Sequence, residues 1–184
     1  MPWDRFVLGY HGCDHSILND VLTQKKDLRV SRNHYDWLGN GIYFWEDSYQ
    51  RASQWAQQST RITHPAVLGA VINLGNCLNL LDVEHLETVR IAYCTLERTT
   101  IQAETQLPAN RGKTFKDRKL DCAVIETLHG MREVEGLESY QTVRGFFVEG
   151  EPLYEGAGLR HQDHIQLCVR DTGNIVGFFL PRVS

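Results

Sequence analysis

A chain of 184 residues has the length of one domain and can bury its own core, and 42% hydrophobic with 23% charged residues is ordinary globular composition. No apolar run has the length of a membrane span, the longest being the strand-length Ala66 to Leu74. Met1-Pro2-Trp3-Asp4-Arg5 lacks the basic start and apolar run of a secretory signal, so a cytoplasmic protein without membrane contact is expected. A net charge of −4 argues against a broad nucleic-acid-binding surface, although it leaves room for a local basic patch. The five cysteines are scattered, with no Cys-x-x-Cys pair, and read as free thiols rather than a disulfide framework or thiolate zinc site. His11/His15 and His161/His164 have metal-like spacing, but no further ligand cluster accompanies them, so no metal is expected.

No repeat, low-complexity tract or linker divides the chain, which reads as one domain over 1–184. Phe6 to Tyr10 is a short strand, after which Ser16 can cap a helix carrying Ile17, Leu18, Val21 and Leu22 on one face. Leu28 to Gly41 reads as an irregular loop. Asp47 or Ser48 can cap a second helix to about Ser59, with Ala52, Trp55 and Ala56 as its apolar stripe. The run from Val67 to Leu74 has the pattern of a strand buried on both faces.

Asp82 begins a longer helix with Val83, Leu86, Val89, Tyr93 and Leu96 at helical spacing. The basic stretch from Leu107 to Lys119 reads as an exposed loop, and Leu120, Ala123, Val124 and Leu128 mark another helix, closed by Gly130. Thr142 to Val148 is a strand. Ile165 to Arg170 and Asn174 to Leu180 are two more, joined by the hairpin chemistry of Asp171-Thr172-Gly173. Strands at both ends with helices between predict an α+β domain of mainly antiparallel sheet with flanking helices.

Three stretches could carry chemistry. In Tyr10-His11-Gly12 the imidazole can hydrogen-bond a ligand and the glycine admits a flat group to the backbone, although the same pattern describes a strand-end turn. In Gly39-Asn40-Gly41-Ile42-Tyr43-Phe44-Trp45, Tyr43 can stack on a planar heterocycle, whereas Phe44 reads as core. In His164-Ile165-Gln166-Leu167-Cys168-Val169, Gln166 either faces solvent or hydrogen-bonds a sugar in a cleft.

The order Tyr10-His11-Gly12, a helix, Gly39-Asn40-Gly41-Ile42-Tyr43-Phe44, Arg51-Ala52, then Val67 through Asn76 resembles the poly(ADP-ribose)-polymerase-like ADP-ribosyltransferases. The likeness is strongest over residues 1–80, thin to residue 140, and returns in the C-terminal strands. It implies the ADP-ribosyltransferase fold, with split, mainly antiparallel sheets, and NAD as substrate. By similarity His11 contacts the adenosine ribose, the Gly12 backbone holds the nicotinamide carboxamide, and Tyr43 stacks on the nicotinamide. Trp55, beside Gln54, stands near the place of a second aromatic wall, and Ser31 and Arg32 lie where a loop would touch the phosphates. Arg51 stands where the family carries a serine, and Gln166 where it carries a glutamate. An amide can position the ribose but supplies no full charge to an oxocarbenium-like transition state, which by analogy implies transfer of single ADP-ribose units. Glu149 is a second acid/base candidate, if its loop folds over the site, and is equally well an ordinary loop carboxylate.

The resemblance thus implies a mono-ADP-ribosyltransferase acting on a protein or nucleic-acid acceptor. Small enzymes of this kind are often bacterial toxins or anti-phage effectors, which would imply a neutralising antitoxin or immunity protein. The alternatives are a weakly catalytic NAD- or ADP-ribose-binding module and an NAD glycohydrolase.

Overall fold

In a computed structural model of the chain, residues 5–112 and 117–182 are described. The strands are β1 (Phe6–Asp14), β2 (Ile42–Glu46), β3 (Pro65–Asn73), β4 (Cys77–Asn79), β5 (Asn110–Arg111), β6 (Asp117–Arg118), β7 (Thr142–Phe147), β8 (His164–Val169) and β9 (Ile175–Phe179). The α-helices are α1 (His15–Leu22), α2 (Tyr49–Gln58), α3 (Val83–Gln102) and α4 (Lys119–Val134). Seven strands form one hydrogen-bonded order, β4-β7-β8-β2-β1-β3-β9, and β5 and β6 pair by themselves. Every pairing is antiparallel except β4 with β7. The result is a mixed fold of mostly antiparallel sheet with helices packed on it.

The split sheets expected from the sequence are not seen as such: the seven strands form one continuous hydrogen-bonded order, thinnest between β1 and β2. β1 pairs with β3 along its whole length, from Phe6↔Asn73 to Asp14↔Pro65, but with β2 only at Gly9↔Glu46 and Tyr10↔Trp45. Beyond Tyr10 the two strands part.

Alternation of side chains sorts the core into two faces. On one, α1 lays Leu18 and Val21 over Cys13, Ile42, Phe44, Leu68, Ala70 and Leu167. On the other, α3 and α4 bring Ala92, Val124, Ile125 and Leu128 against Val143, Phe147 and Cys168. Also on this second face, α2 sets Ala52 against Trp45 and Val67. Phe44 is fully buried, as its place in the pattern predicts, a burial that contributes about 1.5–3 kcal/mol.

Asp82 and Ser48 cap α3 and α2 as expected of them, Ser48 rather than Asp47 taking the second position. The cap of α1 is Asp14, not Ser16: the Asp14 carboxylate accepts from the Ser16 amide at 3.0 Å and also from the amides of Thr63 and His64. A carboxylate that reaches three amides displaces the hydroxyl two residues on. Gly130 does not close α4, which runs to Val134 with Gly136 just beyond, at a φ of 67° that glycine adopts without strain. The expected loop from Leu107 to Lys119 holds the β5–β6 ladder, residues 113–116 of it lying outside the described residues. Within it, the Asn110 side-chain oxygen accepts from the amides of Leu120 and Asp121, capping α4 from outside the helix. β8 and β9 form no hairpin: β8 lies between β7 and β2, while β9 crosses to the far edge and pairs with β3. Asp171-Thr172-Gly173 starts a 3-10 turn at the head of that crossing. All five cysteines are free thiols, and none of the described helices is long and apolar enough to cross a membrane.

Candidate active site at the seam between β1 and β2

Strand register aligns Gly145, Gln166, Trp45 and Tyr10 across β7, β8, β2 and β1. Paired residues share a face of the pleat, so the row stands on the side covered by α2, α3 and α4. On the same face, His164 pairs with Phe147 and Cys168 with Tyr43, and Gly12 follows Tyr10 at the strand period.

His11 alternates to the other face, where its ring lies 5.7 Å from that of Phe44. Its Nδ1 reaches back into the seam and donates to the Tyr43 carbonyl at 2.8 Å. A carbonyl only accepts, so Nδ1 carries the hydrogen and Nε2 keeps a lone pair in the neutral ring. Burial pushes the His11 pKa down, opposed by that hydrogen bond, and favours the neutral form.

Tyr43 is half-buried against the cluster containing Leu38 and Cys168. Its hydroxyl donates to the Gly39 carbonyl at 2.7 Å and accepts from the Leu38 amide at 2.9 Å, so it ties down the turn that precedes its own strand. Burial first, and then the neighbouring Cys168, push its phenol well above the usual range. The same turn is held from α4, where Glu126 accepts from the Asn40 amide at 2.8 Å and pairs with Arg170. Gly12 lies directly beneath α2: a Cβ there would stand 2.5 Å from the Ala52 carbonyl and 3.1 Å from the Trp55 ring. Trp55 is 45% exposed and its ring lies 5.7 Å from that of Trp45. Gln54, the alternative wall, instead accepts from Arg51 at 3.0 Å. Ser31 bridges to Gly41, just before β2, through paired backbone hydrogen bonds, and Arg32 follows it directly.

The structure therefore gathers Gly12, Tyr43, Trp55, Gln166 and Glu149 on one face, sets His11 in the seam from the other side, and leaves Ser31 and Arg32 at the mouth of β2. Glu149 is engaged: its carboxylate accepts from Arg51 Nη2 at 2.8 Å and stands 3.9 Å from His164 Nδ1. Gln166 is 8% exposed, and its amide makes no hydrogen bond among the described residues. Five buried side-chain nitrogen or oxygen atoms lack a partner among the described residues, and three of them, Trp45 Nε1, Arg51 Nε and His164 Nε2, belong to this cluster. A buried polar group left unmatched costs about 1–3 kcal/mol, and three of the five such atoms stand in this cluster.

Two recesses of about 400 and 410 Å³ flank α4, one beside Glu126, His129 and Tyr140, the other beside Trp37, Val89 and Phe147. None of the eight residues His11, Gly12, Ser31, Arg32, Tyr43, Trp55, Glu149 and Gln166 lines either recess. Sequence reasoning passed over Trp45 as a polar group and His164 as the residue beside Gln166 on the same strand face. The two-residue alternation of β2 and β8 carries the signal for both. The Arg144–Glu46 pair, bidentate at 2.6 and 2.7 Å, also went unforeseen, but it lies on the opposite face and ties β7 to β2 across β8. Comparison with family models, with curated proteins and with solved structures finds no match to the chain.

Proposed function

We propose that the chain is a mono-ADP-ribosyltransferase that binds NAD at the β1–β2 seam, cleaves the nicotinamide–ribose bond and passes one ADP-ribose unit to a macromolecular acceptor, protein or nucleic acid. The observation that carries the reading is the unpartnered, nearly buried amide of Gln166, on the same face as Gly12, Tyr43 and Trp55. An amide so placed hydrogen-bonds a ribose hydroxyl and orients it without adding a full negative charge. With its hydroxyl already spent on Leu38 and Gly39, Tyr43 offers a fixed ring rather than a polar contact. His11, held neutral in the seam, brings an acceptor nitrogen to a sugar hydroxyl.

The test is to incubate the full chain with NAD labelled in its adenosine half, follow nicotinamide release, and look for label on lysate protein and RNA. Label on a macromolecule supports transfer. Release without label makes the chain a glycohydrolase, and calorimetric binding without release makes it an NAD-binding module.

A further inference from the structure

Resting on that reading, we infer that Trp45, Arg51 and His164 form the subsite for the attacking hydroxyl, and that His164 is the catalytic base that removes its proton. His164 Nδ1 lies 2.6 Å from the Gln162 carbonyl and must donate to it, so the neutral ring presents a lone pair at Nε2. That nitrogen has no partner, although the His164 side chain is only 1% exposed. The other two unmatched atoms, Trp45 Nε1 and Arg51 Nε, are N–H donors. Taken together, the three atoms lack one hydrogen and have two to give. A hydroxyl is the complement, with one O–H and two lone pairs, whereas a carboxylate or phosphate has no hydrogen for Nε2 and a primary amine would leave one N–H unmatched.

The neighbours suit a base. The rings of Trp45 and Trp37 lie 6.3 and 6.2 Å from that of His164, and Phe147 5.8 Å, forming aromatic walls around the imidazole. The charged groups facing it are Glu149 after β7, Asp163 before β8 and Arg51 on α2. Burial lowers its pKa most and Arg51 adds to that, while the Gln162 bond, Glu149 and Asp163 stabilise the imidazolium once formed. Glu149, already paired to Arg51 and 3.9 Å from His164 Nδ1, supplies charge to the imidazolium rather than serving as the base itself. In the step, the hydroxyl oxygen bonds to the nicotinamide-bearing ribose carbon and its proton passes to His164 Nε2. The carbon–nitrogen bond breaks and nicotinamide leaves with the electron pair. His164 then releases the proton to solvent. Water and alcohols share this chemistry.

The test uses the full chain with NAD, in buffer and with added methanol, following nicotinamide release and the yields of ADP-ribose and methyl ADP-ribose. Methyl product marks an alcohol-accepting site, and ADP-ribose alone marks water as the hydroxyl. For the wild type, release is level at neutral pH and falls in acid with a midpoint below 6.5, the ordinary imidazole value. His164→Gln removes the titrating ring, lowers release by about 10²-fold or more, leaves NAD affinity unchanged and abolishes the acid limb. Trp45→Phe deletes one donor, keeps the ring and lowers release about tenfold. If the wild type cleaves NAD but His164→Gln keeps its rate and acid limb, the inference falls and the NAD reading stands. If His164→Gln does not fold, a flat wild-type profile together with an unaffected Trp45→Phe overturns it. A wild type that releases no nicotinamide overturns both.

Discussion

Arg51 on α2 and Glu149 after β7 meet at 2.8 Å across 98 residues of sequence, with side chains only 9% and 18% exposed. Their pairing latches the β7–β8 connection onto α2 beside the seam. Removing one partner of a buried pair strands the other, at a cost of about 3–5 kcal/mol. Glu149→Ala and Arg51→Ala should each lower stability toward that range in urea unfolding, and the double variant should lose much less than their sum. Additive losses would mean that the two groups do not act as a pair.

The Tyr43 hydroxyl is fastened to the preceding turn at two adjacent residues, Leu38 and Gly39. Tyr43→Phe removes the acceptor for the Leu38 amide and the donor to Gly39 but keeps the ring, and should cost about 1–3 kcal/mol of stability while NAD affinity holds. Chemical denaturation and calorimetry on the same preparation separate the two effects. Lost affinity with full stability would assign the hydroxyl to the ligand instead.

Gln166 tests the proposed chemistry most directly. Gln166→Ala should lower nicotinamide release by about 10²-fold with little change in NAD affinity, because the lost contact matters where charge develops. Gln166→Glu should retain or raise release. If neither substitution changes release, Gln166 has no part in the reaction.

Stability should fall with acid earlier than carboxylate titration alone would produce. Burial lowers the pKa of His11, His129 and His164 below 6.5 in the folded protein. Below pH 6.5 the unfolded chain takes up protons that the folded chain refuses, so the unfolded state gains and stability drops as pH falls. Above pH 6.5 these groups are neutral in both states and contribute no slope. Melting temperatures measured from pH 5 to 8 should be level at the upper end and decline below about 6.5. His129→Phe should reduce the slope, and a melting curve that rises on acidification would contradict the assignment.

Much of the fold is local, and that part is legible in the sequence. The continuous apolar run of Val67 through Leu74, the caps Ser48 and Asp82, and the helical spacing of Val124 and Leu128 each depend on neighbours a few residues away. The hairpin expected at Asp171-Thr172-Gly173 failed because turn chemistry records that the chain bends, not which strand lies next to β8. Gly130 failed as a stop because its neighbours in α4 remain buried on one side, and packing outweighs the roughly 1 kcal/mol preference against glycine. At the site, the period-two pattern places Gln166 and His164 on one face. Nothing within a strand's length reveals that Glu149 closes on Arg51 or that Trp45 lacks an acceptor.

The seam also sets how the sheet can deform. The β1–β2 register pairs just Gly9↔Glu46 and Tyr10↔Trp45, with the Asp47 amide donating to the Leu8 carbonyl beside them and His11 Nδ1 reaching the Tyr43 carbonyl beyond. Bending concentrates where a ladder is thinnest, which places the most deformable line of the sheet at Gly9 and Tyr10. Amide hydrogens near the parting of β1 and β2 should then exchange with deuterium well before those of the β1–β3 ladder, which is continuous over nine pairs. A ligand gripping both strands would slow that exchange from a single edge inward, recording its arrival in the backbone itself.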